Sequence, residues 1–241
     1  MTAWLGEGAT IDAVTYQTRA IIQTENLRPF VPPTLDENKW QQVKAYLTRE
    51  RRLPSSLVDN LHSSGLVYAD DKQNAVFIRR SLGEETITGA TLRGTAGTNN
   101  TFKGLALGSK RNAGWFHFKI GGQSGDPIQR AVLVESPIDA MSFAVLDRTE
   151  SRKTIYLSTD GAGQVPVEFL RTLPASSVVI AYDNDQLGNL MALHVMEQLP
   201  NAVRRAPKLK DWNDEIKNMF NLSQQRSLEQ KQNWGLSLGY E

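Results

Sequence analysis

The sequence predicts an α/β protein in two parts, and three observations support this prediction. Short apolar runs separated by Gly, Asn and Asp fill the first half, which is typical of antiparallel strands. After residue 128, apolar runs alternate with helix-period segments, which indicates parallel strands covered by helices on both faces. Residues 121–127, GGQSGDP, are the strongest break in the chain and separate the two patterns.

We interpret residues 1–34 as a leading arm and linker. A short helical pattern spans residues 11–22, and the proline-rich run at 28–33 that follows it cannot lie inside a helix. The first residues lack a basic region followed by an apolar one, so we expect no secretory signal. Because no apolar run reaches the ~18 residues of a membrane span, we expect a cytoplasmic protein with no membrane partner.

Residues 35–126 are predicted to form a smaller α+β lobe. An apolar face over residues 35–49 predicts one helix, and residues 56–63 predict a second, short helix that Gly65 ends. Alternating or short apolar runs then predict antiparallel strands, at residues 66–68, 75–78, 87–93 and 114–120.

Residues 127–220 are predicted to form a sheet of four parallel strands with flanking helices, followed by a polar tail at 221–241. The strands are apolar runs, at residues 131–134, 154–157, 178–182 and 202–206. Helix-period segments follow the first three of them. Ser136 before Pro137 marks a helix start, since serine caps the first turn and proline fits its first position.

Composition excludes several classes of protein. The 241 residues contain 27 Lys and Arg against 26 Asp and Glu, and this net charge of +1 excludes a strongly basic DNA-coating protein. With no cysteine there is no disulfide and no Cys-ligated zinc site. Residues 79–119 nevertheless hold seven basic and two acidic side chains. Such a patch suits a polyanion-binding surface, although on charge counts alone a solvated surface is favoured.

Acidic residues follow the predicted parallel strands, at the edge where open α/β sheets bind ligands. In strand order they are Glu135, Asp160, the pair Asp183 and Asp185, and the pair Asp211 and Asp214. Each one alone could be a polar strand end, a turn or a helix cap. Their coincidence at one edge favours a site instead.

The spacing of Asp183 and Asp185 suggests a metal ion. In extended backbone, residues two apart point the same way, so both carboxylates can face one ion. With no cysteine and only three histidines, oxygen ligation is the plausible metal chemistry, and it favours a hard ion such as Mg²⁺ or Mn²⁺.

Three motifs resemble the Toprim domain, which bacterial-type primases, type IA and II topoisomerases and several nucleases share. Residues 132–140, VLVESPIDA, are similar to its first motif, strand-Glu-Gly-x-x-Asp, with Ser136 in place of the glycine. Residues 178–188, VVIAYDNDQLG, resemble the second, strand-Asp-x-Asp-x-x-Gly. Residues 210–214, KDWND, resemble the Lys-Asp-x-x-Asp element of primase-type members. The resemblance covers roughly residues 129–217 and implies a Rossmann-like sheet.

The preceding half is similar to a module found before Toprim in proteins of plasmids, phages and other mobile elements. The similarity rests on residues 46–53 (YLTRERRL), 75–79 (AVFIR), 89–94 (GATLRG) and 102–104 (FKG). It implies a primase-like core of two lobes with a cleft between them. We expect neither the zinc-binding nor the helicase-binding domain of the usual primases, and therefore no zinc.

The resemblance implies nucleotidyl transfer with Mg²⁺ or Mn²⁺ and assigns roles to individual residues. Asp183 and Asp185 would bind metal, and Glu135 would be a ligand or a general acid/base. Asp139 and Asp214 would bind metal through water. Template phosphates or an incoming nucleoside triphosphate would be bound by Arg79, Arg93, Lys103, Lys110, Arg111, Lys210 and the backbone of Gly161.

Three functions stay open on the sequence. The first is a primase-like nucleotidyltransferase that acts on single-stranded DNA or RNA, uses nucleoside triphosphates and has a helicase or relaxase as a further candidate partner. The second is a metal-dependent nuclease with the same carboxylates. The third is a non-catalytic nucleic-acid-binding module of a larger replication or relaxase protein. The primase-like first half favours the first.

Overall fold

The computed structural model of the chain describes residues 29–97, 100–147, 150–161, 163–174 and 177–237, with side chains up to residue 226. The helix predicted over residues 11–22 lies outside these ranges. No helix in the described part of the chain is long and apolar enough to cross a membrane.

Two helical segments precede the first sheet. The elements in order are a 3₁₀ turn at Glu37–Lys39, helix α1 at Trp40–Ala45, a π turn at Tyr46–Glu50 and helix α2 at Ser55–Ser63. Asp36 caps the first turn by accepting a hydrogen bond from the Asn38 N–H at 3.0 Å. This cap explains why the helix opens where the sequence predicts it.

The first sheet is antiparallel, with the order β1-β2-β3-β4. Its strands are β1 at Val67–Ala69, β2 at Asn74–Arg80, β3 at Ile87–Gly94 and β4 at Lys103–Leu105. The long β2–β3 pair forms its centre, and its register shifts at Arg79/Arg80. Three of the antiparallel strands predicted for this lobe, at residues 66–68, 75–78 and 87–93, are confirmed, and β4 is an addition to them.

The second sheet has the order β5-β7-β6-β8-β9. Its strands are β5 at Phe116–Ile120, β6 at Arg130–Val134, β7 at Thr154–Ser158, β8 at Val178–Ile180 and β9 at Val203–Arg204. The strands β6 to β9 are parallel, as predicted. Helices pack against this sheet: α3 at Pro137–Leu146, α4 at Val167–Arg171, α5 at Gln186–Gln198 and α6 at Trp212–Ser237.

Strand β5 is a correction to the expected organisation. Its residues were predicted in the N-terminal lobe, but β5 pairs antiparallel with β7 along the edge of the second sheet. The reason is apolar burial, because Phe118 stacks on Tyr156 of β7 at a ring-centroid distance of 5.4 Å. The chain therefore changes sheets before the break at 121–127.

One core joins the two sheets. A single apolar cluster contains Phe77 of the first sheet together with Phe116, Val132 and Tyr156 of the second. In addition, Arg80 and Trp115 exchange two backbone hydrogen bonds of 3.0 Å between β2 and the start of β5.

The segment predicted as a tail after residue 220 continues α6 to Ser237.

Candidate active site

A cleft of about 510 Å³ lies between the carboxyl ends of the parallel strands and strands β3 and β4 of the first sheet. Its lining contains both signs of charge in equal number. The acidic side chains are Glu135, Asp139, Asp160, Asp183 and Asp211, and the basic ones are Arg51, Arg93, Lys103, Arg111 and Lys210. The predicted meeting of carboxylates from several strand ends is therefore present.

Glu135 and Asp183 follow the neighbouring strands β6 and β8 and are two of the acidic side chains that line the cleft. The backbone N–H of Asp183 donates to Glu135 Oε1 at 3.1 Å, which fixes the two residues relative to each other. Burial raises the pKa of Glu135, and the nearby carboxylate of Asp185 adds to the rise. The bond from the Asp183 backbone opposes that rise but does not cancel it.

The carboxyl group of Asp183 is strongly perturbed. Burial and then the carboxylates of Asp139, Glu135 and Asp211 raise its pKa to about 8. Its Oδ1 atom is buried and has no hydrogen-bond partner among the described residues. A buried oxygen without a partner, surrounded by negative charge, has two ways to lower its energy: bind a proton or bind a cation.

Asp139 lies one helical turn after Glu135, on α3. The Ser136 hydroxyl caps this helix by accepting a bond from the Asp139 N–H at 3.2 Å, and it also donates to the Asp139 carboxylate. Burial, with Asp211 and Glu135 nearby, raises the pKa of Asp139 to about 7. Ser136 has φ −133°, a conformation open to any residue, so glycine is not required at this turn.

Asp185 and Asp214 have helix-end roles in the structure. Asp185 is exposed and caps α5 by accepting the Gly188 N–H at 2.8 Å. Asp214 pairs with Lys217 at 3.3 Å, and the cleft lining contains Asp211 instead. Since Asp185 contributes to the raised pKa of Asp183, its carboxylate is electrostatically part of the cluster.

The carboxylates fit a divalent cation in part. Within the described ranges, no three His, Asp or Glu side chains stand where they could together hold a metal ion. Mg²⁺, however, is often bound through one or two carboxylates, with waters and substrate phosphates completing its shell. Glu135 and Asp183, whose Oδ1 has no described partner, fit that pattern, with Asp139 and Asp211 close enough to act electrostatically.

Arg79 was predicted to contact phosphates, and the structure shows that this prediction is wrong. Its side chain is buried on β2 and forms an ion pair with Asp160. The guanidinium also donates to the carbonyls of Arg111 at 2.9 Å and Gly114 at 2.6 Å. Asp160 accepts a further bond from the Thr91 hydroxyl at 2.8 Å. Arg79 is thus a link between sheets and is closed to a ligand.

The other predicted phosphate-binding residues divide into two groups. Arg93 and Lys103, which are paired across β3 and β4, line the cleft together with Arg111 and Lys210. Lys110 is exposed but does not belong to the lining. Gly161 lines the cleft, yet its N–H donates to the Glu135 carbonyl at 2.9 Å and is therefore not free for a phosphate.

Arg204 is a positioning residue that the sequence reasoning missed. It donates to the carbonyls of Tyr182 at 2.7 Å and Asp183 at 2.8 Å and to Asn189 Oδ1 at 3.1 Å. These bonds hold the loop that carries Asp183. The available signal was an arginine at the end of a short strand, which on its own is ordinary.

Arg51 was also missed, although it lines the cleft. Its guanidinium is held by Tyr46, whose hydroxyl accepts from Nε at 2.8 Å, and its backbone carbonyl accepts from the buried Asn213 at 2.7 Å. The sequence shows Arg51 only as part of a charged run, RERR, that would equally suit an exposed helix end.

Two family models match the chain. Residues 132–216 match the model described as Toprim-like, and residues 45–124 match the model described as protein of unknown function (DUF3991). The chain is 22% identical over 212 residues to the uncharacterized protein pXO2-78 of Bacillus anthracis, and 32% identical over 191 residues to a 65 kDa protein of Zymomonas mobilis. These alignments cover 78% and 73% of this chain but only 60% and 31% of the relatives.

A solved structure shows a related fold. A chain from the structure of bacteriophage T7 lagging-strand DNA polymerase interacting with primase domains, bound to an RNA/DNA hybrid and dTTP, has a TM-score of 0.50 and 16% identity. That match covers 71% of this chain and 84% of the other. The primase fragment of the T7 primase-helicase protein has a TM-score of 0.49 and 16% identity, covering 70% of this chain and 68% of that one.

Proposed function

Since a DUF3991 match at residues 45–124 precedes a Toprim-like match at residues 132–216, we propose that this chain is the core of a primase-like nucleotidyltransferase. The observation that most supports the proposal is the unpartnered Oδ1 of Asp183, beside Glu135 and in a cleft that also contains five basic side chains. Carboxylates that lie in the same cleft as basic side chains suit a ligand with a phosphate chain and a bound metal ion.

Glu135 and Asp183 are the residues that would hold Mg²⁺ or Mn²⁺ in this proposal. The bound ion would neutralise the charge that develops on the triphosphate and favour ionisation of the attacking 3′-hydroxyl. Arg204 keeps the Asp183 loop in place, and the Asp183 N–H keeps Glu135 oriented. The carboxylates of Asp139 and Asp211 raise the pKa of Asp183, and their negative charge would also attract a cation to the site.

The basic side chains of the cleft would bind the anionic substrates. Arg93 and Lys103 come from neighbouring strands, and Lys210 comes from the other lobe, so a strand or triphosphate between them would be contacted from two sides. Such contacts position a nucleic acid without reading its sequence. Single-stranded DNA or RNA and nucleoside triphosphates are therefore the proposed partners.

The biological setting is part of the proposal. The pXO2 designation of one relative is that of a plasmid, which supports a role in replication or transfer of a mobile element. The chain spans 60% and 31% of the two relatives' lengths. A helicase or relaxase is the further partner that we propose in this setting.

The decisive experiment tests for template extension and template cleavage in the same reaction. The protein is incubated with an end-labelled single-stranded template, nucleoside triphosphates and Mg²⁺ or Mn²⁺, and the products are resolved on a denaturing gel. Extension products support the proposal, whereas shortened template would instead identify a nuclease. Asp183→Asn should abolish the products, and Glu168→Gln, at an exposed position on α4, should leave them unchanged.

Absence of extension and of cleavage with both metals and with ribo- and deoxyribonucleotides would contradict the proposal. It would favour the non-catalytic binding module, which the same preparation tests through its affinity for the labelled template.

A further inference from the structure

Tyr46 holds two arginines of the cleft through a single atom. Its hydroxyl oxygen accepts a hydrogen bond from Arg51 Nε at 2.8 Å and another from Arg93 Nε at 2.9 Å. Arg51 also lies over the Tyr46 ring, 5.1 Å from its centroid. The tyrosine ring is buried, so the position of the hydroxyl is fixed by packing.

The local backbone reinforces this arrangement. Tyr46 opens the π turn at Tyr46–Glu50, and the Arg51 N–H donates to the Tyr46 carbonyl at 3.0 Å. Arg51 is therefore joined to Tyr46 by backbone and by side chain. Single π turns are often found at functional sites.

A second contact connects the pair to the Toprim-like half. Asn213, buried at the start of α6, donates to the Arg51 carbonyl at 2.7 Å and to Ser142 Oγ on α3 at 3.1 Å. Arg51 Nη1 in turn approaches Asn213 Oδ1 at 3.4 Å.

Within the described chain, Arg93 bonds through Nε alone, so both of its terminal nitrogens remain for a ligand.

We propose that Tyr46 is a positioning residue that joins Arg51 and Arg93 into one fork for a phosphate group. Among the described residues, anchoring through Nε leaves both terminal nitrogens of Arg93 and the Nη2 of Arg51 for a ligand. The planar N–H groups of a guanidinium match the oxygens of a phosphate. The ligand class rests on the proposed function. A nucleoside triphosphate and a nucleic-acid strand both supply that group, and the test separates them.

The test measures binding without catalysis. In EDTA, the affinities of the full chain for a nucleoside triphosphate and for a labelled oligothymidine are measured by calorimetry and by fluorescence anisotropy. Tyr46→Phe keeps the ring and removes the acceptor, so it should weaken one of the two ligands by about three- to tenfold. The ligand that weakens identifies the source of the phosphate. Tyr68→Phe, which loses a hydroxyl bonded to the Pro33 carbonyl away from the cleft, should bind both as wild type.

A double-mutant cycle shows whether the hydroxyl acts through the arginines. Arg93→Ala should weaken binding more than Tyr46→Phe, and the combined variant should be little worse than Arg93→Ala alone. Arg93→Lys keeps the charge but not the planar guanidinium, so it should weaken the same ligand to a similar extent as expected for Tyr46→Phe. This variant tests the fork independently if Tyr46→Phe folds poorly.

Three results would overturn the fork. These are wild-type binding of both ligands by a folded Tyr46→Phe variant, purely additive effects in the cycle, and an Arg93→Lys variant that binds as wild type. The fork and the enzymatic proposal fail separately. Coupling without template extension would reject only the enzyme, and extension without coupling would reject only the fork.

Discussion

Arg79 on β2 and Asp160 after β7 form a buried ion pair that joins the two sheets. Replacing Asp160 by Asn should lower the free energy of unfolding by about 3–5 kcal/mol, because it leaves a buried guanidinium without its counter-charge. Asn tolerates the left-handed backbone at this position, φ +53°, so the substitution tests the charge and not the backbone.

Urea unfolding measures this change. The matched control is Glu168→Gln, which breaks an exposed pair with Arg171 and should cost no more than about 0.5 kcal/mol. Equal effects of the two substitutions would show that the buried pair contributes no more than a surface pair.

The raised pKa of Asp183 predicts a stability that depends on pH. An unfolded Asp ionises near ~3.9, whereas the folded carboxyl ionises at about 8, so the folded protein binds an extra proton between those values. The free energy of unfolding of the metal-free protein should therefore fall as the pH rises from about 4 to 8. Asp183→Asn removes this contribution and should lose less stability over the same range.

Thermal denaturation in EDTA at pH values of about 5.5 and 8 measures the difference. Asp139, whose pKa is raised to about 7, contributes in the same direction and should remain in the variant. If the wild type and Asp183→Asn lose stability equally, the carboxyl of Asp183 does not titrate as the structure indicates.

A divalent cation should stabilise the wild type. Binding at ten times the dissociation constant contributes about 1.4 kcal/mol, which corresponds to a rise in Tm of roughly 3–6 °C for a protein of this size. Glu135→Gln and Asp183→Asn should each abolish the rise with Mn²⁺ or Mg²⁺. Asp214→Asn should retain it, because that carboxylate pairs with Lys217 outside the cleft.

Asp211→Asn tests whether the carboxylate of Asp211, which lines the cleft, contributes to cation binding. Asn is as good a helix cap as Asp, so the bond from the Asp214 N–H is kept while one negative charge leaves the cleft. We expect a smaller rise in Tm than in the wild type. A full rise here together with a lost rise in Asp214→Asn would restore the assignment made from the sequence.

Binding of single-stranded nucleic acid should be weak and strongly dependent on salt. For single strands the slope of log affinity against log salt is about −0.7 per phosphate neutralised, so three to five engaged cations give roughly −2 to −3.5. Arg93→Ala and Lys103→Ala should each reduce the magnitude of the slope by somewhat under one and weaken all sequences alike. Arg152→Ala, at an exposed arginine paired with Glu150, should change neither quantity.

Anisotropy titrations at several salt concentrations give the slopes. Two results would show that the basic side chains of the cleft do not bind a phosphate backbone. One is affinity that is insensitive to salt, and the other is a loss of affinity in Arg93→Ala that depends on base sequence.

The parallel sheet and its acidic edge could be predicted because both depend on local sequence. Strands buried on both faces are continuous apolar runs, and carboxylates directly after them must meet at one edge. The partner of a strand is a non-local property, so the alternation Phe116-His117-Phe118 was compatible with either sheet. Arg79 looked like a surface cation for the same reason, since its counter-charge lies 81 residues further along the chain.

Asp185 and Asp214 show a different limit. A carboxylate at the first turn of a helix has the same sequence signature whether it binds a cation or caps the helix. Only the three-dimensional arrangement shows that Asp185 accepts the Gly188 N–H and that Asp214 turns to Lys217.

Strand β5 has a practical consequence for dividing this protein. A polypeptide that starts at residue 127 would lack β5, and the backbone N–H and C=O groups that β7 directs toward it would have no partner. Unpaired strand edges recruit other chains, so we expect such a fragment to self-associate or precipitate. A fragment that starts before Trp115 would keep the β7 edge paired, so it should self-associate less than the fragment that starts at residue 127.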